Sequence, residues 1–196
     1  MKSVLISIQP YWVFLIIAKK MGWNIGKEKT VEVRKNYPKD ENWNKVAKIY
    51  CSKDKKSFAK IPKEYQPLME RFIGKVIGEF VCNNIDWHGL SNLVVKEDAE
   101  HTLDGTCLTK EEVLNYLGYQ KGTSIYACKN YEFYGWYISD LVIYDKPREL
   151  SEFKIVGCKG CRDKDTYHCK FYCTGERRFK RPPQSWAYCE SEVDTE

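Results

Sequence analysis

Two stretches of this 196-residue chain carry residue types whose spacing could do chemistry. In GKEKTVEVRK, residues 26–35, Lys29 precedes a strand-like alternation in which Val31 and Val33 fall on one face and Thr30, Glu32 and Arg34 on the other. The valines predict a core face. The polar trio is left to line solvent or a cleft, with Lys29 reaching round from the adjacent turn. In a cleft, a guanidinium offers a rigid fork for a phosphate or a base edge, and a carboxylate accepts from an exocyclic amine, a pairing that suits a nucleotide. On a solvated strand face the same acid and guanidinium would form an ion pair worth little.

The second stretch is CKGCRDKDTYHCKFYC, residues 158–173. Cys158 and Cys161 stand three apart, Cys169 and Cys173 four apart, and a short polar loop joins the pairs. Such spacings can close a tetrahedral zinc site, with His168 as a spare ligand. Four thiolates leave no open position for water, so the zinc expected here is structural. The plainer alternative is four reduced cysteines in a flexible basic loop.

That segment also holds the chain's charge excess. Residues 158–181 carry eight Lys and Arg against three Asp and Glu, and the rest of the chain balances at 24 of each, so the formal charge of +5 sits in one patch. Its last part, Arg177, Arg178, Lys180 and Arg181, leads to Gln184, Ser185 and Trp186. Basic residues beside aromatic rings suit nucleic acid, where stacking adds about 1–3 kcal/mol per base. Most rings among Tyr11, Trp12, Trp136, Tyr137, Phe171, Tyr172 and Trp186 belong in a core; Trp12 and Trp186 are the stacking candidates.

The elements that must position these residues are legible in part. SVLISI (3–8) reads as a buried strand, and Pro10 suits the first turn of a helix running through Lys20 that is apolar nearly all round. KVAKIYC (45–51) reads as a strand followed by a polar excursion, and GKVIGEFVCNN (74–84) as another, with Gly78 a candidate bulge. LTKEEVLNYLGY (108–119) carries the clearest local grammar: Thr109 and Glu112 form a capping box and Gly118 follows the last periodic leucine. One or two strands are expected within 123–147, ending at Pro147, and a last one around SWAYCE (185–190). Strands with two inserted helices and no regular βα alternation predict an α+β fold, a small mixed β-barrel with flanking helices. The size suits a single domain over 1–196, with 158–181 a basic, zinc-stapled insertion.

The nine cysteines, odd in number and unevenly spread, suit a reducing compartment, so the chain is expected in the cytoplasm. Cys51, Cys82 and Cys128 fall in strand-like runs and read as small core residues. The apolar run Val4–Ala18 is broken by Gln9 and Pro10, and is too short to span a bilayer as a helix.

The opening VLISIQPYW, then GKEKTVEVRK, GKVIGEFVC, ISDLVIYDKPREL and RPPQSWAYC, in that order, resemble the ASCH domains of the PUA-like superfamily, particularly members from gut bacteria and their phages. The resemblance covers most of the chain. It implies a small mixed barrel whose strands flank a cleft, with the polar face of the second strand turned into it, and a binding function for RNA or for a modified base in DNA. One bacterial branch hydrolyses the acetyl amide of N4-acetylcytidine with a Lys, Thr and Glu constellation. Laid on this sequence, Lys29 falls on that family's lysine and Thr30 on its first threonine, but the nucleophilic threonine falls on Glu32, and a carboxylate cannot act as an activated hydroxyl. The family's catalytic acid falls near Glu100 or Asp104.

Together these readings predict a binding module rather than an enzyme, taking RNA or DNA or a modified nucleotide. Its site would be Trp12, Lys29, Thr30, Glu32, Arg34, Arg177, Arg178, Lys180, Arg181, Ser185 and Trp186, with zinc on Cys158, Cys161, Cys169 and Cys173. A nucleoside amidohydrolase, with Thr30 as nucleophile, and a phage protein that binds a host protein are the alternatives.

Overall fold

Residue types set the first elements. The structure, a computed structural model, describes residues 2–89, 93, 101–119, 131–156 and 178–191. Strand β1 (Ser3–Ile8) is buried along nearly its whole length and pairs in parallel with β3 (Val46–Cys51). Uniformly apolar runs such as these are what a strand covered on both faces requires. Helix α1 (Pro10–Ile17) starts on its proline as the sequence predicts, and Val13 to Ala18 are all buried, so the helix is packed on more than one side. It ends three residues before Lys20, in a turn closed by Gly22 at φ 71°.

The chain divides into two compact units. The first comprises Met1–Phe14, Asp40–Phe80 and Val142–Glu196. It holds β1, β3, the short helices α2 (Lys55–Phe58) and α3 (Gln66–Glu70), most of β4 (Val76–Val81) and of β7 (Ser139–Arg148), then β8 (Phe153–Ile155) and β9 (Trp186–Ser191). Its sheet has the order β7-β4-β3-β1-β9-β8, with β9 antiparallel to both β1 and β8. Leu5, Tyr50, Val76, Phe153, Phe179 and Cys189 make its core cluster. Gly78 has a clear reason: a Cβ there would meet the Val142 carbonyl oxygen at 2.1 Å, so only glycine lets the two backbones approach.

The second unit comprises Leu15–Lys39 and Val81–Leu141. Its three strands run in the order β2-β6-β5, where β2 is Val31–Arg34, β5 Ile85–Gly89 and β6 Glu132–Tyr137, and both pairings are antiparallel. Helix α4 (Lys110–Leu117) carries the predicted capping box between Thr109 and Glu112 and ends on Gly118 at φ 79°. Val113 and Leu117, one turn apart on α4, pack with Val33, Leu93 and Phe133.

The mixed α+β class stands, but among the described residues the sheets do not close into a barrel. The outer side of β8 is met by an antiparallel bridge from Lys154 to Arg178, and at the other edge β7 contains Pro147, which cannot donate to a ladder. The polar excursion after Cys51 forms α2 and α3; Asp54 caps α2 by accepting from the amides of Lys56 and Ser57. Strand β7 continues through Pro147 to Arg148 rather than ending at the proline. Among the described residues, no helix is long and apolar enough to cross a membrane.

Candidate functional site

Strand β2 is where the sequence placed the site, and all four of its residues are buried. Its register against β6 pairs Val31 with Tyr137, Glu32 with Trp136, Val33 with Gly135 and Arg34 with Tyr134. Partners across an antiparallel pair share a face. One face of the small sheet therefore carries Glu32, Arg34, Tyr134 and Trp136. The other carries Val31, Val33, Phe133, Gly135 and Tyr137, joined by Asp86 and His88 from β5.

The polar face is neither solvated nor an open cleft. Arg34 Nη2 donates to Glu32 Oε1 at 2.8 Å, and Lys29 Nζ stands 3.4 Å from Glu32 Oε2. Lys29 also donates to the carbonyls of Val31 and Thr106, each at 2.7 Å. Burial pulls the Lys29 pKa below the ordinary lysine value, and the Glu32 carboxylate partly opposes that pull. With Glu32 only 6% exposed, the carboxylate is a structural counter-charge between two cations.

A loop locks onto the start of this strand. The carbonyl of Gly105 accepts from the amides of both Thr30 and Val31, at 2.8 and 3.0 Å. Gly105 sits at φ +71°, and a Cβ on it would meet Thr30 Oγ1 at 2.3 Å. Thr106 donates its hydroxyl to the Leu103 carbonyl at 2.7 Å and accepts from the Leu108 amide, which fixes the loop's exit.

Between this loop and the valine face of the sheet lies a pocket of about 220 Å³. Val31, Phe133 and Gly135 form its apolar floor, and Thr30, His88, His101, Thr102, Asp104, Thr106 and Tyr137 supply polar groups. Gly135 lets the Val31 side chain pack close to the β6 backbone: a Cβ there would stand 3.1 Å from Val31 Cγ1 and 3.7 Å from His88 Nε2. The His88 ring stacks on Phe133 with centroids 4.9 Å apart, and burial lowers its pKa against the raising effect of Asp86. Tyr137 donates its phenol to Asp86 Oδ2 at 2.9 Å, which pushes the phenol's pKa up, and Asn84 donates to the other Asp86 oxygen. At the mouth, His101 Nδ1 and Asp104 Oδ2 are 3.4 Å apart.

The sequence-predicted residues are thus partly brought together. Lys29, Thr30, Glu32 and Arg34 share the second unit, but of these only Thr30 lines the pocket, and the polar face predicted to border a cleft lies on the other side of the sheet. Thr30 escapes the parity argument because the strand begins at Val31. Trp12, Arg178, Lys180, Arg181, Ser185 and Trp186 belong to the first unit. There Trp12 is half-buried against Tyr11, and Arg178 donates to the Ser151 carbonyl at 3.2 Å. Lys180 and Arg181 are exposed, the Ser185 carbonyl accepts from the Ser7 amide, and Trp186 packs edge-on to Tyr188. Arg177 and the four cysteines expected to hold zinc, Cys158, Cys161, Cys169 and Cys173, lie outside the described residues. Among the described residues, no group of three or more His, Cys, Asp or Glu side chains is placed to hold a metal ion. Cys51 and Cys82 are buried as predicted, and burial pushes the Cys51 thiol up to about 12.

Sequence reasoning missed His88, Phe133 and Gly135 as pocket residues. No local signal marks them, since the pocket forms only when β5 and β6 pair beside β2.

Fold and site together define a mixed α+β protein with a small pocket, aromatic and apolar below and polar at its rim. No protein-family model matches the sequence, and no curated protein matches it. Among solved structures, the chain is similar to the ASCH protein of Zymomonas mobilis, at 17% identity and a TM-score of 0.47 over 95% of this chain and 86% of that one. Two point mutants of the same protein are similar at 16% identity and a TM-score of 0.46, over 96% and 95% of this chain and 90% and 87% of theirs.

Proposed function

We propose that this chain is a nucleic-acid or modified-nucleotide binding module, with RNA the first candidate partner. The observation that carries the reading is the second unit's pocket. It is a half-open cavity with an aromatic and apolar floor and convergent hydroxyl, imidazole and carboxylate groups, the general form of a small-ligand site. The Lys29–Glu32–Arg34 cluster holds the strand and loop that shape it. The exposed Lys180 and Arg181, with Arg177 and Arg178, supply phosphate attraction, and Trp12 and Trp186 supply stacking surface. A structural zinc on Cys158, Cys161, Cys169 and Cys173 staples the basic segment.

One observation favours a second reading. Thr30 lines the pocket, the position that an amidohydrolase with Thr30 as nucleophile requires. Glu32 is not the attacking group in either reading.

The test is fluorescence anisotropy with short single-stranded RNA and DNA over a range of salt. Binding should weaken linearly with log salt, and replacing Lys180 and Arg181 by Gln should reduce the slope by about 0.7 for each phosphate left without its cation. Binding that ignores salt, or no binding to either nucleic acid, contradicts the reading. Release of acetate from N4-acetylcytidine that disappears in Thr30→Val would promote the second.

A further inference from the structure

The last residues of β1 bring two basic segments to one end of the larger sheet. The Ile8 carbonyl accepts from the Ser52 amide at 2.8 Å, while Ser7 donates its amide to the Ser185 carbonyl at 2.9 Å and its hydroxyl to the Pro183 carbonyl at 2.7 Å. On the Ser52 side the chain runs on through Lys53, Lys55, Lys56, Lys60 and Lys63, all exposed, against Asp54 and Glu64. On the Ser185 side it arrives from Lys180 and Arg181, also exposed. Strands β3 and β9, which border these segments, flank β1 and so lie two strand spacings apart, about 10 Å.

The lysines around α2 are firmly placed. Asp54 is engaged by the cap, accepting from the amides of Lys56 and Ser57, and the buried Ser57 hydroxyl accepts from the Tyr11 amide at 3.1 Å. Helical turns continue to Ile61, whose amide donates to the Phe58 carbonyl, so Lys56 and Lys60 stand one turn apart on one face, where like charges repel. Among the described residues, none of the five lysines forms an ion pair. Helix α1 begins at the same place: Lys60 Nζ lies 6.0 Å from the centre of the Tyr11 ring, and Tyr11 meets Trp12 edge to face at 5.0 Å.

Cations flanking half-buried rings suit the phosphates and bases of a single strand. A membrane surface would call for several protruding apolar side chains, and among the large apolar residues of 53–75 only Leu68 is exposed. Resting on the nucleic-acid reading above, we infer that one single strand of nucleic acid crosses the end of β1. Lys56 and Lys60 hold its phosphates on one side, Lys180 and Arg181 hold them on the other, and its bases lie against Tyr11 and Trp12 between.

The probe is an oligo(U) of about 12 nucleotides, titrated by anisotropy over salt against the full chain. Lys56→Gln with Lys60→Gln should reduce the salt slope by about 1.4, at 0.7 for each lost contact, and so should Lys180→Gln with Arg181→Gln. The four changes together should add their losses, with one oligonucleotide bound per chain. Arginine at 56 and 60 should keep the slope, and the melting temperature of each variant checks that the fold is intact. An unchanged slope in the folded Lys56→Gln, Lys60→Gln variant, or two oligonucleotides per chain, overturns the inference. Polyglutamate of equal charge that displaces the probe as well as unlabelled oligo(U) does would also overturn it, since the face would then suit an acidic protein. If the slope falls only with Lys180 and Arg181, the α2 face alone fails; if oligo(U) does not bind at all, both readings fail.

Discussion

Lys29 Nζ lies 2.7 Å from the Thr106 carbonyl oxygen and 3.4 Å from Glu32 Oε2, so one buried ammonium ties the pocket's loop to the strand beneath it. Among the described residues, Glu32 is ion-paired with both Lys29 and Arg34. Glu32→Leu should therefore leave two cations facing each other out of water, costing about 3–5 kcal/mol of stability. Urea unfolding measures it. Replacing all three residues together, by Met at 29, Leu at 32 and Met at 34, should cost less than the single change. A single variant as stable as the parent would mean that the cluster is solvated.

Gly105 and Thr30 are coupled sterically. Gly105→Ala should lose about 1–3 kcal/mol, because alanine is strained at φ +71° and its methyl meets Thr30 Oγ1. Combining it with Thr30→Ala removes the clash but not the backbone strain, so the double-mutant cycle should show partial rescue. Strictly additive losses would contradict the contact.

His88 gives the acid limb of stability a definite sign. Its folded-state pKa is depressed by burial, so below the ordinary imidazole value of 6.5 the unfolded chain binds more protons. Its contribution is full above that value and is lost as the pH falls through the folded-state value. His88→Phe should flatten this part of the pH profile of the urea midpoint. An unchanged slope would show that His88 does not titrate there.

The cysteine segment predicts about one zinc per chain by elemental analysis, lost in Cys161→Ser and in Cys173→Ser. Chelation should lower the melting temperature, and added zinc should restore it. Protein purified metal-free under reducing conditions, with a melting temperature that zinc does not change, would end the zinc proposal.

What could be read from the sequence was what neighbouring residues decide. The cap of α4 was legible because Thr109, Glu112 and Gly118 act on one another within a few residues. Strands β1 and β3 were legible because burial on both faces demands unbroken apolar runs. Strand β5, IDWHG, has little β-branched content and exists through its pairing with β6, so nothing local announced it. The site shows the same division. Val31 and Val33 were correctly separated from Glu32 and Arg34, but which face would border a cavity depended on the pairing with β6, far along the chain. Closure of a sheet into a barrel depends on strand order, and that β7, with its proline, falls at one edge is visible only once that order is known.

Strand β1 is flanked by β3 on one side and by β9 on the other, with Ser3 opposite Cys189. During synthesis the first strand of the larger sheet emerges early, and the strand that covers its second edge is the last described one to leave the ribosome. Translation proceeds at roughly 5–20 residues per second, so an apolar strand waits for its antiparallel neighbour for about ten seconds or more. The cell must keep that edge from other chains throughout, and a ribosome stalled before Trp186 would release a product with the centre of its sheet open.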